Sequence, residues 1–257
     1  MKILGRTQPL AQYPILDCLD VVRRLGFDGV EICLENPDLD PERLSPARVS
    51  AVRGRVAELG LSPHSVSYHK DYIYDDASFE LTKQAIARTP QFGAQVFVFA
   101  GGPKRAGDEA EWRRMIGRTR ELAAIAEERG VVLAEEFEPG FVVGSTAELE
   151  RLFDDIPSPN LAANLDLGHA FLCDPDPLDS IRRLGRAGKI VHCHVENMRA
   201  GVHAHLLPHE GDMDLGAYLR ALSEVGYAGG LALDLYLHDY EAAAPAAIAY
   251  LRAAMPA

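Results

Sequence analysis

The feature that most constrains this chain is a rhythm. Short apolar or β-branched runs come at 2–5 (KILG), 29–34 (GVEICL), 61–68 (LSPHSVSY), 94–102 (AQVFVFAGG), 131–138 (VVLAEEFE), 161–168 (LAANLDLG), 189–197 (KIVHCHVEN) and 230–237 (GLALDLYL). Between them lie segments with helical periodicity such as ILDCLDVVRRLG, PARVSAVRGRVAELG and EWRRMIGRTRELAAIAEERG, each closed by a glycine of the kind that ends a helix. Strand and helix alternate roughly every 30 residues, which calls for parallel strands joined by right-handed crossovers. Eight such units close into an α/β (β/α)8 barrel of the TIM type. An open doubly wound sheet competes, but it would carry a Gly-rich turn after its first strand, and GRTQP at 5–9 offers none. No linker, charge run or low-complexity stretch divides the sequence, so residues 1–257 read as a single domain.

Composition removes several function classes. A formal net charge of −12 disfavours a nucleic-acid partner, because phosphate binding needs clustered Lys and Arg. Cys18, Cys33, Cys173 and Cys193 have no C-x-x-C spacing and read as reduced thiols. The start, MKILGRTQPLAQY, has no leader-like apolar region, and no run approaches the roughly 18 apolar residues of a membrane span. The expectation is a cytoplasmic protein without a membrane partner, and nothing opposes a homo-oligomer.

Strand parity locates the chemistry, since functional groups in such barrels gather at the carboxyl ends of the strands. In VVLAEEFEPG, Glu136 and Glu138 share a face; in NLDLGHA, Asp166 closes the strand and His169 follows it. In KIVHCHVEN, His192, His194 and Glu196 share one face while Cys193 points to the other, and in GLALDLY Asp234 interrupts an apolar row. Singly, each has an ordinary explanation: a strand-end acid caps the next helix, and an inward His is a hydrogen-bonded core residue. Together, Glu136, Asp166 and Asp234 would be very costly to desolvate without a cation. Glu136, Asp166, His194 and Asp234 supply three oxygens and one nitrogen. Such a set suits Mn²⁺ first, with Mg²⁺, Co²⁺, Zn²⁺ or Fe²⁺ also tolerated.

These stretches resemble the xylose isomerase-like barrels, which include sugar 3-epimerases, inosose isomerases and dehydratases, hydroxypyruvate isomerases and endonuclease IV. GFDGVEI at 26–32, GVVLAEEFEPG at 130–140, LDLGHA at 165–170, HCHVEN at 192–197 and HLLPHEGDMDL at 205–215 carry the resemblance. It places the family's metal ligands on Glu136, Asp166, His194 and Asp234. It places substrate contacts on His169 and Arg199, with His64 a further pocket candidate and Glu196 pointing towards the pocket rim. The departures are Asp234 where Glu is usual, Glu138 where relatives often have His, Asn197 for Asp, and His209 for Gly. The shorter arm of Asp234 changes its reach by about 1.5 Å, which counts against a two-base epimerisation.

The resemblance implies a metal-dependent isomerase or epimerase acting on a keto-sugar or polyol-derived ketone through an enediolate. Glu136 would be ligand and principal acid/base, with Asp234, Glu138 and His169 as alternative proton carriers and Arg199 and His64 orienting hydroxyls. A dehydratase or lyase is the runner-up, and a non-enzymatic sugar-binding barrel the alternative of another class. Endonuclease-type DNA repair is disfavoured by charge and by the lack of a histidine in VFVFAGG. No helix-terminal glycine nest for a phosphate follows the seventh or eighth strand, and GGPKRAG at 101–107, the weak alternative, reads more simply as an ordinary loop, so an unphosphorylated polyol or sugar-derived ketone is favoured.

Overall fold

Each of the eight runs contains one parallel strand, and the strands close on themselves in the computed structural model, which describes residues 1–256. The barrel strands are β1 (Lys2–Arg6), β2 (Gly29–Cys33), β3 (Ser62–Ser67), β4 (Val96–Ala100), β5 (Val132–Glu136), β6 (Leu161–Asp166), β7 (Ile190–Val195) and β10 (Gly230–Leu233). A hairpin of β8 (Asn197–Arg199) and β9 (Val202–Leu206) stands between β7 and β10. Neighbours run β1-β10-β7-β6-β5-β4-β3-β2 around the closed barrel, the (β/α)8 architecture expected.

The helices are α1 (Ile15–Leu25), α2 (Pro46–Glu58), α3 (Asp76–Arg88), α4 (Glu109–Arg129), α5 (Thr146–Asp155), α6 (Leu167–Cys173), α7 (Pro177–Arg186), α8 (Leu215–Glu224) and α9 (Tyr240–Ala254). Local chemistry sets their ends. Asp108 accepts from the amides of Ala110 and Glu111 to start α4, and Gly130, at φ 65°, ends it. Among the described residues no helix is long and apolar enough to cross a membrane.

The strands are apolar on the outside and polar on the inside. Val30, Ile32, Phe97, Phe99, Leu133, Leu165 and Val195 are fully buried in the core around the helices, each contributing about 1.5–3 kcal/mol. Glu31, Ser65 and His192 meet side chain to side chain although β2 and β7 are not neighbours in the sheet, so they point into the barrel.

Most strands stop before their apolar runs end, and at three of them this moves residues of the expected site. β5 ends at Glu136, β7 at Val195 and β10 at Leu233, because the chain turns outward there to form the loops of the carboxyl end. Glu138 therefore sits in a turn closed by the Phe141 amide donating to its carbonyl (2.9 Å), with Gly140 at φ 83°.

Candidate active site and metal centre

Four strand ends deliver Glu136, Asp166, His194 and Asp234 to one place. Asp166, His194 and Asp234 each offer a ligand atom within 4.8 Å of the others, and so do Glu136, Asp166 and His169. His194 Nδ1 lies 3.1 Å from Glu136 Oε2 and 3.9 Å from Asp234 Oδ2. None of the four is more than 5% exposed.

Two of these residues hold one atom ready while another is tied down. Asp166 Oδ1 accepts from the His169 amide at 2.7 Å and starts α6, the capping role a strand-end acid was expected to allow, while its buried Oδ2 has no partner. His194 Nε2 lies 3.2 Å and 3.3 Å from the Glu31 oxygens, and its buried Nδ1 has no hydrogen-bond partner. A carboxylate behind the ring and a bare nitrogen facing other carboxylates is how a metal-binding histidine is oriented. The donor set fits a divalent cation.

Glu31 and Arg6 escaped the sequence reading. Arg6 ends β1, 3% exposed; its Nε donates to Glu31 Oε1 at 2.8 Å and its guanidinium also pairs with Asp234. Glu31 Oε2 accepts from His192 Nε2 at 2.7 Å and from Ser65 Oγ at 3.1 Å. Burial alone would raise the Glu31 carboxyl, but His194, Arg6 and His192 override it and hold the group well below the usual carboxylate range. Burial lowers His194, yet Glu136 and Glu31 carry it up to about 10, so a cation taken up at Nδ1 would displace a proton from the ring. His69, just past β3, was missed too: its Nε2 is 3.0 Å from Glu136 Oε2 and its Nδ1 3.4 Å from Glu35. Asn164 Nδ2 donates to the same Glu136 oxygen at 2.8 Å. Each is one polar residue in an otherwise unremarkable stretch, and only the barrel's closure brings them together.

A second nitrogen cluster stands beside the first. His169 Nδ1 donates to the Phe137 carbonyl at 2.9 Å and His205 Nδ1 to the Asp234 carbonyl at 3.1 Å, so both present Nε2 to His203, at 3.1 Å and 3.3 Å. His169, His203 and His205 form another group able to hold a cation.

The cavity above the acids, about 300 Å³, is lined by Arg6, His69, Lys70, Glu138, His169 and Tyr236 among others. Glu138, from the turn after β5, and His169, from α6, both line it. Burial, then the Glu136 charge, pushes the Glu138 carboxyl up to about 7.

Three expected substrate contacts lie elsewhere. His64 is near the amino end of the barrel, stacked on His192 with ring centres 5.2 Å apart and accepting from the Gly230 amide at 3.1 Å. A register shift at this point of the β2–β3 pairing leaves His64 without a partner in the ladder. Arg199 is exposed on the hairpin and does not line the cavity, because the chain leaves the barrel after β7 and β8 carries it outward. Glu196 is fully buried, not at the rim: its Oε1 accepts from the Gly168 amide at 3.0 Å. Asn197 is structural; its side chain donates to the Pro208 and Met213 carbonyls and accepts from the Met213 amide.

The family model for the xylose isomerase-like TIM barrel matches residues 19–254. The chain belongs to that family. Among its relatives, a fructoselysine 3-epimerase of Shigella flexneri is 24% identical over 262 residues, 95% of this chain and 94% of that protein. An uncharacterised protein of Methanocaldococcus jannaschii is 32% identical over 118 residues, but the match spans only 44% of this chain and 40% of that protein. Among solved structures, the probable 3-DHS dehydratase AsbF of Bacillus anthracis superposes with a TM-score of 0.83 at 16% identity, over 98% of this chain and 99% of that one. Xylose isomerase-like barrels thus share this fold with low sequence identity, and activity must be read from the site.

Proposed function

We propose that the protein is a divalent-metal-dependent enzyme of the isomerase/epimerase type, acting on a keto-sugar or polyol-derived ketone by enolisation. The observation that carries this reading is the bare, buried His194 Nδ1 facing Glu136 and Asp234 beside the unpartnered Asp166 Oδ2. Glu136, Asp166, His194 and Asp234 would hold the ion, for which Mn²⁺ is the best fit to the donors. When bound, the ion supplies a Lewis acid that polarises a substrate carbonyl.

The rest falls to the chain. Glu136 takes the proton from the carbon beside the carbonyl, and His69 and Asn164 fix its Oε2 so that the carboxylate keeps one orientation. Electrons from the broken C–H bond move onto the carbonyl oxygen to give the enediolate. Glu138, which burial pushes up to about 7, gives a proton to the former carbonyl carbon while the hydroxyl proton on the adjacent carbon passes to the former carbonyl oxygen, so that the adjacent carbon becomes the new carbonyl; Glu136 and Glu138 regain their starting protonation by exchange with water. Asp234, held by Arg6, is better placed as a ligand than as a mobile base on the opposite face.

Dehydration is the second reading, favoured by the same Glu138: in its acid form it can protonate a departing β-hydroxyl. The relatives include both an epimerase and a dehydratase by name.

The test is metal analysis of the purified protein, followed by proton exchange in D₂O with keto-sugars, inososes and 3-keto-glycosides. His194→Ala is expected to lose the metal and the exchange. Full metal content in that variant would refute the site, and no exchange with any ketone would refute enolisation.

A further inference from the structure

The catalytic cavity has a side lobe. A space of about 220 Å³ lies beside it at the ends of β3 and β4, sharing His69, Lys70 and Glu138 with the metal side and walled beyond them by Ala100, Gly101, Pro103 and Phe141. Its far wall is stiff. The loop after β4 and the loop after β5 are joined by the Lys104 amide to the Gly140 carbonyl (2.9 Å), the Val142 amide to the Gly102 carbonyl (3.1 Å) and a bridge between Pro103 and Phe141.

The side lobe adds the Phe141 ring and a wall of Ala100, Gly101 and Pro103 to the ammonium and carboxylate that it shares with the metal side, Lys70 and Glu138, neither of which has an ion-pair partner among the described residues. Asp71 is committed elsewhere, accepting from the Ile73 and Tyr74 amides at 3.0 Å and 2.9 Å and pairing with Arg105 at 3.1 Å. A phosphate entering here would meet a single free ammonium between two carboxylates, Asp71 and Glu138, and its charge would be opposed on two sides. A pyranose ring suits the lobe better, with an apolar face for Phe141 and hydroxyls for a donor and an acceptor at its edge.

We propose that this lobe is a subsite for a second, uncharged sugar ring, so that the substrate is a keto-glycoside rather than a free or phosphorylated keto-sugar. The proposal rests on the enolising reading for the ring bound at the metal side, and the experiment separates the two. Full-length protein loaded with Mg²⁺ is titrated with methyl β-D-glucoside, cellobiose and glucose 6-phosphate by calorimetry, with saturation-transfer NMR to map which ring touches the protein. Cellobiose is expected to bind at least tenfold more tightly than methyl β-D-glucoside, with saturation on both rings. Phe141→Leu, which keeps apolar volume at a partly exposed position, is expected to remove most of that gain while leaving affinity for Mg²⁺ and for methyl β-D-glucoside unchanged. Equal affinity for the two glucosides, tightest binding of the phosphate, a gain that survives Phe141→Leu, or no sugar binding by protein that binds Mg²⁺ would each overturn the subsite. Failure of Mg²⁺ to bind at all would overturn the enolising reading instead.

Discussion

Replacing Glu31 by glutamine keeps the shape of the side chain and removes its charge from behind His194. Mn²⁺ affinity is expected to fall 10- to 100-fold, the usual effect of losing the group that orients a ligating histidine, in a calorimetric titration that also checks the fold by circular dichroism. Arg6→Leu does the opposite damage: it leaves Glu31 and Asp234 buried without their cation, at a cost of about 3–5 kcal/mol readable by urea unfolding. Glu138→Gln should leave the bound metal intact and slow C–H exchange on the order of 100-fold. At this scale the sequence was informative where polar residues recur on successive strand ends, as with Asp166 and His194. It was silent on Arg6, Glu31 and His69, whose roles depend on distant partners across the closed sheet: Arg6 and Glu31 are 25 positions apart, His69 and Glu136 67, and Glu31 and His194 163. His64 misled for the converse reason, since a local register shift near the amino end is invisible in an alternation pattern.

The elements were easier to read than their ends. Glycine caps, strand runs and helical periodicity are local signals, and they located all eight strands. The points where strands give way to loops depend on the barrel's rim, which is why Glu138 and Glu196 moved off the strand faces expected for them. The β8–β9 hairpin was missed altogether, because NMRAGVHAHL has neither a continuous apolar run nor clean alternation. α6 depends on close packing rather than on length: a Cβ at Gly168 would collide with Glu196 Oε1 and with Met198. Gly168→Ala is therefore expected to destabilise the protein by about 1–3 kcal/mol and to displace His169, measured as a lowered melting temperature together with weaker metal binding.

For the molecule as a whole, the polar barrel interior predicts sensitivity to acid. Burial, then the neighbouring His192, pushes His64 down to about 4 from the ordinary histidine value of 6.5. The unfolded chain therefore binds the proton more readily than the folded one between those values, and stability present above about 6.5 drains away as pH falls towards 4. His64→Gln should make urea stability less steep between pH 7 and pH 5, by about 2 kcal/mol if the full shift acts. Barrel closure has a different kind of consequence. Arg6 comes from the first strand and Asp234 from just past the last, and β1 pairs with β10. A ribosome-bound chain short of β10 has neither the ion pair nor Asp234, the fourth proposed ligand. On the proposed ligand set, uptake of an ion thus waits until β10 has been made and has paired with β1, and an ion-loaded molecule would be one whose barrel has closed.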